Sequence, residues 1–341
     1  MTVAPGRPGR RGLRAAQAAA IGYGIAATLA KVLPEFIVAP VFRLGADFAW
    51  RKRGRGVRQL ERNLRRVVGP QLPDDELRAL SRKAMRSYAR YWLEFFRLPV
   101  LGADRIVNRM VVDGEPLLEQ AMRERRGAVL ALPHSGNWDH AGAWVSARGY
   151  SLTTVAERLK PESLFDRFVL VRERLGMEVL PLSADAGAFA TMLKRLRAGG
   201  LVCLVCERDL DGNGVDVSFF GEPTTMPAGP AALALATGAA LLPTVLWFTG
   251  KDSEDGEGDR GSRGGGWAAR IYPEIVPPAD GDRRAKVAAM TQQLADVFAE
   301  AIAEHPRDWH MLQPLWLADR NPSRAAGAAQ GARVAEEVGG Q

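Results

Sequence analysis

The sequence predicts an α/β fold: a central, largely parallel β-sheet flanked by helices, with an N-terminal helical membrane-associating segment. Three observations predict it. From about residue 110, short apolar strand-like runs alternate with segments of helical spacing. Runs such as "GAVLAL" and "GLVCLVCE" read as buried strands that end in polar residues. The third is an N-terminal stretch that differs from the rest in both charge and hydropathy. At 341 residues, a quarter of them charged, the chain is long enough for one large domain or two modest ones with a real core.

Residues 1–66 carry fourteen Lys/Arg against Glu35, Asp47 and Glu61, a net of +11 in a chain whose total is +7, so the remainder is about −4. A basic segment on a near-neutral body points to a polyanionic surface, nucleic acid or anionic lipid. Residues 15–30, "AAQAAAIGYGIAATLA", are the long uncharged run, closed by Lys31. They are too few and too rich in Ala and Gly for a spanning helix. The arginines before them resemble a signal peptide, but the run continues into "VLPEFIVAPVFRLGADFAW". A helix lying on a membrane surface is the preferred reading, with the basic stretch "RKRGRGVRQLERNLRRV" at 51–67 facing an anionic leaflet. A packed helical hairpin with a solvated basic face is the alternative. The expected division is a membrane-associating segment 1–70, an α/β domain 71–318 and a disordered tail 319–341.

A long amphipathic helix is expected over about 72–98, with Asp74 and Asp75 in its first turn and Leu77, Leu80, Met85, Tyr88, Trp92 and Phe95 along one side. "MVVDG" opens the sheet, and a helix at 115–125, the strand "GAVLAL" and a helix at 138–148 follow. "SLTTVA", "MEVLPL" and "GLVCLVCE" are strands separated by helices at 162–175 and 187–198. "GVDVSFFG" is extended, "GPAALALATG" helical and "ALLPTVLWFTG" a strand. The Gly- and charge-rich stretch 250–266 is a flexible loop before "WAARIYPEIV", and a helix at 282–304 closes the domain. Cys203 and Cys206 lie on opposite faces of their strand and read as buried free thiols, not as a redox or zinc pair.

"ALPHSGNWDHAGAW" at 131–144 is the first candidate for chemistry. His134 leaves the carboxyl end of a buried strand, where open α/β sheets place ligands. Asn137 can cap the next helix and put Asp139 in its first turn, within reach of a folded-back imidazole. Glu207, Arg208 and Asp209 end another buried strand, where three consecutive charges are not expected in a core, and the two strand ends can converge at one sheet edge. Glu157 and Arg172 lie between them in sequence. The set offers a histidine base, carboxylates to orient it and arginines for phosphate or another anion. Ser135 has no G-x-S-x-G elbow, and the four histidines (134, 140, 305, 310) have no metal-ligand spacing. Neither a Gly-rich phosphate loop nor a Walker lysine is present. His140 reads as a helix-surface residue. His310, in "RDWHMLQPLW", reads as packing, with approach to the site the alternative.

"HSGNWD" resembles the H-x4-D motif of the glycerolipid and lipid A-type acyltransferases. With "VCERDL", "PESLFDRFVLVRERLGMEVLPL" and "FFGEPTTMPAGPAALALATGAALLP" it is similar to the actinobacterial phosphatidylinositol mannoside acyltransferases, over about 30–315. The resemblance implies transfer of a long-chain acyl group, palmitoyl, from acyl-CoA to the 6-hydroxyl of the mannose on inositol position 2. It implies His134 as general base, Asp139 and Glu207 as groups setting its charge and orientation, and Glu157 and Arg172 along the groove, with Arg208 beside them. It implies no metal and no cofactor beyond the acyl-CoA donor. The implied partners are acyl-CoA, the glycolipid and an anionic membrane surface, on the cytoplasmic face of the plasma membrane. The tetrahedral oxyanion then needs donors, expected from backbone N–H groups near Gly136 or a neighbouring Arg. An acyltransferase with another glycolipid or lysophospholipid acceptor, an acyl-CoA thioesterase and a non-catalytic membrane or nucleic-acid binder remain as alternatives. The last lacks any nucleic-acid recognition element.

Overall fold

The computed structural model describes residue 24 and residues 27–157, 162–182, 187–250 and 266–320. The strands are β1 (Met110–Asp113), β2 (Ala128–Leu132), β3 (Leu152–Glu157), β4 (Met177–Leu182), β5 (Leu201–Val205), β6 (Val215–Phe219), β7 (Glu222–Met226), β8 (Ala240–Thr249) and β9 (Gly266–Ile271). The main α-helices of the described residues are α1 (Glu35–Lys52), α2 (Arg55–Val68), α3 (Asp74–Arg97), α4 (Ala103–Asn108), α5 (Glu115–Arg123), α6 (Trp138–Ala147), α7 (Glu162–Arg174), α8 (Gly187–Arg197), α9 (Gly229–Thr237), α10 (Arg283–Glu304) and α11 (Leu317–Arg320).

Seven strands form one sheet in the order β1-β9-β8-β2-β5-β3-β4, parallel at every junction except β8–β9. The expected mixed fold with a mostly parallel sheet is what forms. β2 sits in the middle and is buried along its whole length. Its residues alternate between two cores: Val129 and Ala131 pack with α9 and α10, while Leu130 and Leu132 pack with α4, α5 and α6. Cys203 and Cys206 divide between the same two cores as free thiols, and burial pushes the Cys203 thiol up to about 12. β6 and β7 form a separate antiparallel hairpin.

α3 forms because three acids (Asp74, Asp75, Glu76) favour its N-terminal end and Arg97 its last turn. It buries Leu77, Met85, Tyr91 and Phe95. α1 packs on it through Asp47, which is buried and accepts paired hydrogen bonds from Arg82 (3.0 and 2.6 Å) and Arg86 (2.8 and 2.7 Å). Those guanidinium bonds hold the Asp47 carboxyl well below the usual range.

Of the uncharged run 15–30, residues 15–23, 25 and 26 lie outside the described residues. An exposed apolar stripe lies on α1, where Ile37, Val41, Leu44 and Phe48 follow helical spacing, with Phe36 beside them. No helix among the described residues is long and apolar enough to cross a membrane. In the basic stretch 51–67, expected to face a leaflet, Arg51, Lys52, Arg53, Arg55, Arg58 and Arg62 are exposed, while one side of the helix that follows is built into the body. In α2, Asn63 Nδ2 donates to the Met311 and Gln313 carbonyls at 2.8 and 3.0 Å, and Arg66 pairs with Glu222 and Asp319, each at 2.8 Å. α2 also buries Leu60 and Leu64, and Leu60 lies on the same side of the helix as Asn63. Order also extends past 318, since Asp319 and Arg320 belong to α11. The expected tail beyond 320 and the glycine-rich stretch 251–265 lie outside the described residues.

Candidate active site

The segment between β2 and α6 is a tight turn held from three sides. Gly136 has φ +55°, and a Cβ there would lie 2.8 Å from the Leu246 carbonyl carbon. The Gly136 N–H donates to the Asp308 carbonyl at 2.9 Å, and the His310 N–H donates to the His134 carbonyl at 2.8 Å. Asn137 caps α6, its Oδ1 accepting from the His140 N–H at 2.9 Å while its Nδ2 donates to Glu94 at 2.8 Å. Gly136→Ala is expected to destabilise the fold by roughly 1–3 kcal/mol, because alanine meets both the φ penalty and the β8 backbone. Urea unfolding checks this, and an unchanged midpoint would contradict it.

β2 and β5 are parallel neighbours, so the sheet does bring His134 and Glu207 together. The Glu207 Oε1 accepts the His134 backbone N–H at 2.7 Å, and the His134 Nδ1 lies 2.9 and 3.0 Å from the two carboxylate oxygens. The Trp309 indole N–H reaches the same Oε1 at 3.3 Å. Burial by itself would push the Glu207 carboxyl up. The His134 charge and the donated hydrogen bonds outweigh burial and hold it below its ordinary value. An ionised carboxylate only accepts, so Nδ1 carries the ring proton and Nε2 presents its lone pair. The His134 side chain is 31% exposed against 0% for Glu207, an accessible base on a buried orienting charge. Trp138 packs edge-on to the imidazole at 5.3 Å.

Asp139 is not the partner of this imidazole, which corrects the expected pairing. The Asp139 carboxylate is buried, accepts from Arg172 Nε at 2.6 Å and Nη2 at 3.2 Å, and takes the Tyr91 hydroxyl at 2.8 Å. Tyr91 stacks on Trp138 at 4.1 Å, so Asp139 supports the aromatic wall beside His134, two steps from the ring nitrogen. Arg172, expected to offer its fork to an anion, is committed to Asp139. Glu207, expected outside a core, is fully buried because the His134 and Trp309 donors satisfy it. Arg208 is half-buried beside it, and Asp209 turns away to hold the Gly212 and Gly214 N–H groups at 2.9 and 3.0 Å. Glu157 is exposed at the end of β3 and does not join the His134 network. The Gly136 N–H, donated to Asp308, is not a free oxyanion donor. Ser135 is buried, with its Oγ accepting from the Leu246 N–H at 3.3 Å.

Two groups, Tyr91 and Asp308, carry no signal in the sequence that ties them to the site. Tyr91 lies outside the apolar stripe expected on its helix, and nothing in its spacing ties it to Asp139. Asp308 and His310 lie behind the turn, where the Ser87 hydroxyl donates to Asp308 at 2.6 Å and sits 2.9 Å from His310 Nε2. Burial and the His134 charge push the His310 imidazole down to about 3, so this ring stays neutral.

His140 is not on a helix surface. It is fully buried, its ring stacked on Trp267 at 3.7 Å and Nε2 3.2 Å from the Ile106 carbonyl, while Nδ1 has no hydrogen-bond partner among the described residues. Burial pushes it down to about 4 from an ordinary 6.5. A neutral folded ring stabilises the protein fully above pH 6.5, and that contribution declines as the pH falls toward 4, by up to about 1.4 kcal/mol per pH unit. His140→Phe is expected to flatten the loss of unfolding free energy across this window. Equal slopes in variant and wild type would contradict the assignment.

A profile of bacterial lipid A biosynthesis acyltransferases matches residues 10–318. A phosphatidylinositol mannoside acyltransferase of Mycobacterium tuberculosis is 49% identical over 301 residues, covering 87% of this chain and 88% of the relative. That of Mycolicibacterium smegmatis is 48% identical over 310 residues, covering 90% and 94%. The crystal structure of the 1-acyl-sn-glycerophosphate acyltransferase PlsC from Thermotoga maritima aligns over 77% of this chain and 97% of its own with a TM-score of 0.33 and 13% identity, too distant to inform the site. On this identity over most of its length, the chain belongs to the lipid A biosynthesis acyltransferase family, among its phosphatidylinositol mannoside acyltransferases.

Proposed function

We propose that this acyltransferase moves a palmitoyl or similar long-chain acyl group from acyl-CoA to the 6-hydroxyl of the mannose on inositol position 2 of a phosphatidylinositol mono- or dimannoside. The observation that carries the reading is the buried Glu207 carboxylate on Nδ1, which leaves the accessible Nε2 of His134 as a base. Its relatives' names supply the acceptor. A sugar hydroxyl is a weak nucleophile at neutral pH, and a positioned base contributes about 10²–10⁴-fold.

Nε2 takes the hydroxyl proton as the sugar oxygen bonds to the thioester carbonyl carbon. The imidazolium is stabilised by Glu207. Collapse of the tetrahedral intermediate breaks the C–S bond, and Nε2 returns the proton to the departing CoA sulfur. No protein nucleophile is needed, because a thioester already carries a good leaving group. Asp139, Arg172 and Tyr91 act at one remove by fixing Trp138. Arg208 and Glu157, at neighbouring strand ends, are assigned to substrate contact.

The reaction is assigned to the cytoplasmic face of the plasma membrane, with the protein peripheral. The exposed apolar stripe of α1, with the exposed Arg51, Lys52 and Arg53 at its end, supports this. An in-plane amphipathic helix followed by cations suits an anionic leaflet.

Labelled palmitoyl-CoA, incubated with the protein with and without phosphatidylinositol monomannoside, tests the reading. Label is expected in the glycolipid, with little free palmitate when acceptor is absent. Equal release of palmitate in both mixtures would make the protein a thioesterase and overturn the acceptor.

A further inference from the structure

Three consecutive residues, Asp308 to His310, strap down the turn that carries His134. The Asp308 carbonyl accepts the Gly136 N–H at 2.9 Å, and the His310 N–H donates to the His134 carbonyl at 2.8 Å. Between them Trp309 forms an isolated antiparallel bridge with Ser135, and its indole N–H reaches Glu207 at 3.3 Å. The strap therefore touches both members of the His134–Glu207 pair. Its own anchor is the buried Asp308 carboxylate. Oδ2 accepts the Phe248 N–H of β8 at 3.0 Å, and Oδ1 accepts the Ser87 hydroxyl of α3 at 2.6 Å. Ser87 Oγ also lies 2.9 Å from His310 Nε2. The proton transfers at His134 use none of these three side chains.

The direction of this hydrogen-bonded chain follows from its ends. Burial raises the Asp308 carboxyl above its ordinary range, against the Ser87 and Phe248 donors and the Arg307 charge 3.8 Å away, which favour its ionised form. An ionised carboxylate only accepts, so the single Ser87 proton goes to Asp308 and Ser87 Oγ accepts from His310. The His310 ring proton is then on Nε2, and Nδ1 is a bare lone pair. Nδ1 is buried and has no hydrogen-bond partner among the described residues. A buried acceptor left unpaired is tolerated more often than a buried N–H. The chain leaves the orphaned nitrogen in the form that costs less. Tyr88, Tyr91 and Trp138 enclose the ring at centroid distances of 5.4, 6.0 and 6.1 Å, so it belongs to the aromatic wall beside the base.

We propose that Asp308 and Ser87 are positioning residues for acyl transfer, which fix His310 as the Nε2–H tautomer and so hold the strap that places His134 and Glu207. An amide at position 308 would reverse the chain. Its oxygen must face the Phe248 N–H, which the β8 backbone fixes, so its NH₂ faces Ser87. Ser87 then accepts from the amide and donates to His310 Nε2, and the ring proton moves to Nδ1. There it is a buried donor without an acceptor, and the ring and strap must shift to relieve it. A shift of about 1 Å in a catalytic group costs about 10²-fold. The effect on turnover rests on the reaction given under Proposed function, whereas the tautomer does not.

The test is nitrogen NMR of the full chain labelled in its histidine rings, where the Nδ1–H and Nε2–H tautomers give distinct ring shifts. The chain has four histidines, and spectra of His134→Ala, His140→Phe and His305→Gln identify the signals of the other three. At neutral pH wild-type His310 is expected as Nε2–H, and Asp308→Asn is expected to convert it to Nδ1–H. Asp308→Asn should lower kcat by about ten- to a hundred-fold, with KM for both substrates within about three-fold. Ser87→Ala, which keeps the Phe248 anchor, should leave a mixture of tautomers and lower kcat at least about three-fold. Because the amide reaches His310 only through Ser87, the double variant should be no slower than Asp308→Asn within about two- to three-fold. A wild-type Nδ1–H ring, or an Asp308→Asn ring still protonated on Nε2, overturns the chain. A reversed tautomer with wild-type kcat and KM overturns the positioning role. An Asp308 that serves only the fold would lower the melting temperature without moving the ring proton, which also overturns it. Should Asp308→Asn fail to fold, Ser87→Ala decides, and a single Nε2–H tautomer with unchanged kcat rejects the proposal. The expected tautomers in a wild-type preparation that transfers no acyl group would remove only the proposed reaction.

Discussion

His134→Ala is expected to lower kcat for acyl transfer by about 10²–10⁴-fold, the usual contribution of a positioned general base. The effect should fall on kcat more than on KM, because the Nε2 lone pair acts only as the hydroxyl proton leaves. Structural damage should be small. The side chain is partly exposed, and the turn is held by backbone groups of His134, Gly136 and His310 that alanine keeps. Steady-state kinetics with saturating acyl-CoA check it. A variant that keeps more than a tenth of wild-type kcat would remove His134 from the chemistry.

Glu207→Gln is expected to cost about as much, although it is nearly isosteric and the residue sits behind the base. In the serine-protease triad, the comparable Asp-to-Asn change lowers kcat about 10⁴-fold through the wrong histidine tautomer. Here the carboxylate accepts the His134 backbone N–H, the ring Nδ1–H and the Trp309 indole N–H. An amide in its place removes the charge that stabilises the imidazolium, and its NH₂ can donate to Nδ1, which would move the ring proton to Nε2. The expected result is a loss of 10²-fold or more in kcat, with little change in KM or in the circular dichroism of the folded protein. Near-wild-type turnover would mean that the Nδ1 contact only positions the ring.

Much of the fold was legible because it is written in local spacing. The runs that became β2 and β5 carry uninterrupted apolar residues, and α3 carries both its acidic first turn and its buried stripe. The Asn137 cap was legible for the same reason, since a cap acts within three residues. β7 was not: "EPTTM" has a proline and no apolar alternation, and it forms only as the partner of β6.

The site was half legible. Parallel neighbours predicted that His134 and Glu207 would converge, but not which carboxylate would take the imidazole. That choice depends on Arg172, thirty-three residues beyond Asp139, which with Tyr91 occupies both Asp139 oxygens. The burial of Glu207 and His140 was misread for a related reason. Charge at a strand end usually means solvent. Here distant donors satisfy Glu207, and α6 is packed on nearly all sides by the sheet and by α3 and α4, which leaves His140 against Trp267. Sequence spacing does not report which polar groups will find partners far along the chain.

The most direct test of the central claim, that His134 and Glu207 form one catalytic unit, is a double-mutant cycle on kcat with His134→Ala, Glu207→Gln and the two combined. Residues that act as a unit are strongly non-additive, so the double variant should be no slower than His134→Ala within about two- to three-fold. A double variant slower by the product of the two single losses would show that Glu207 works independently of His134, and would contradict the account.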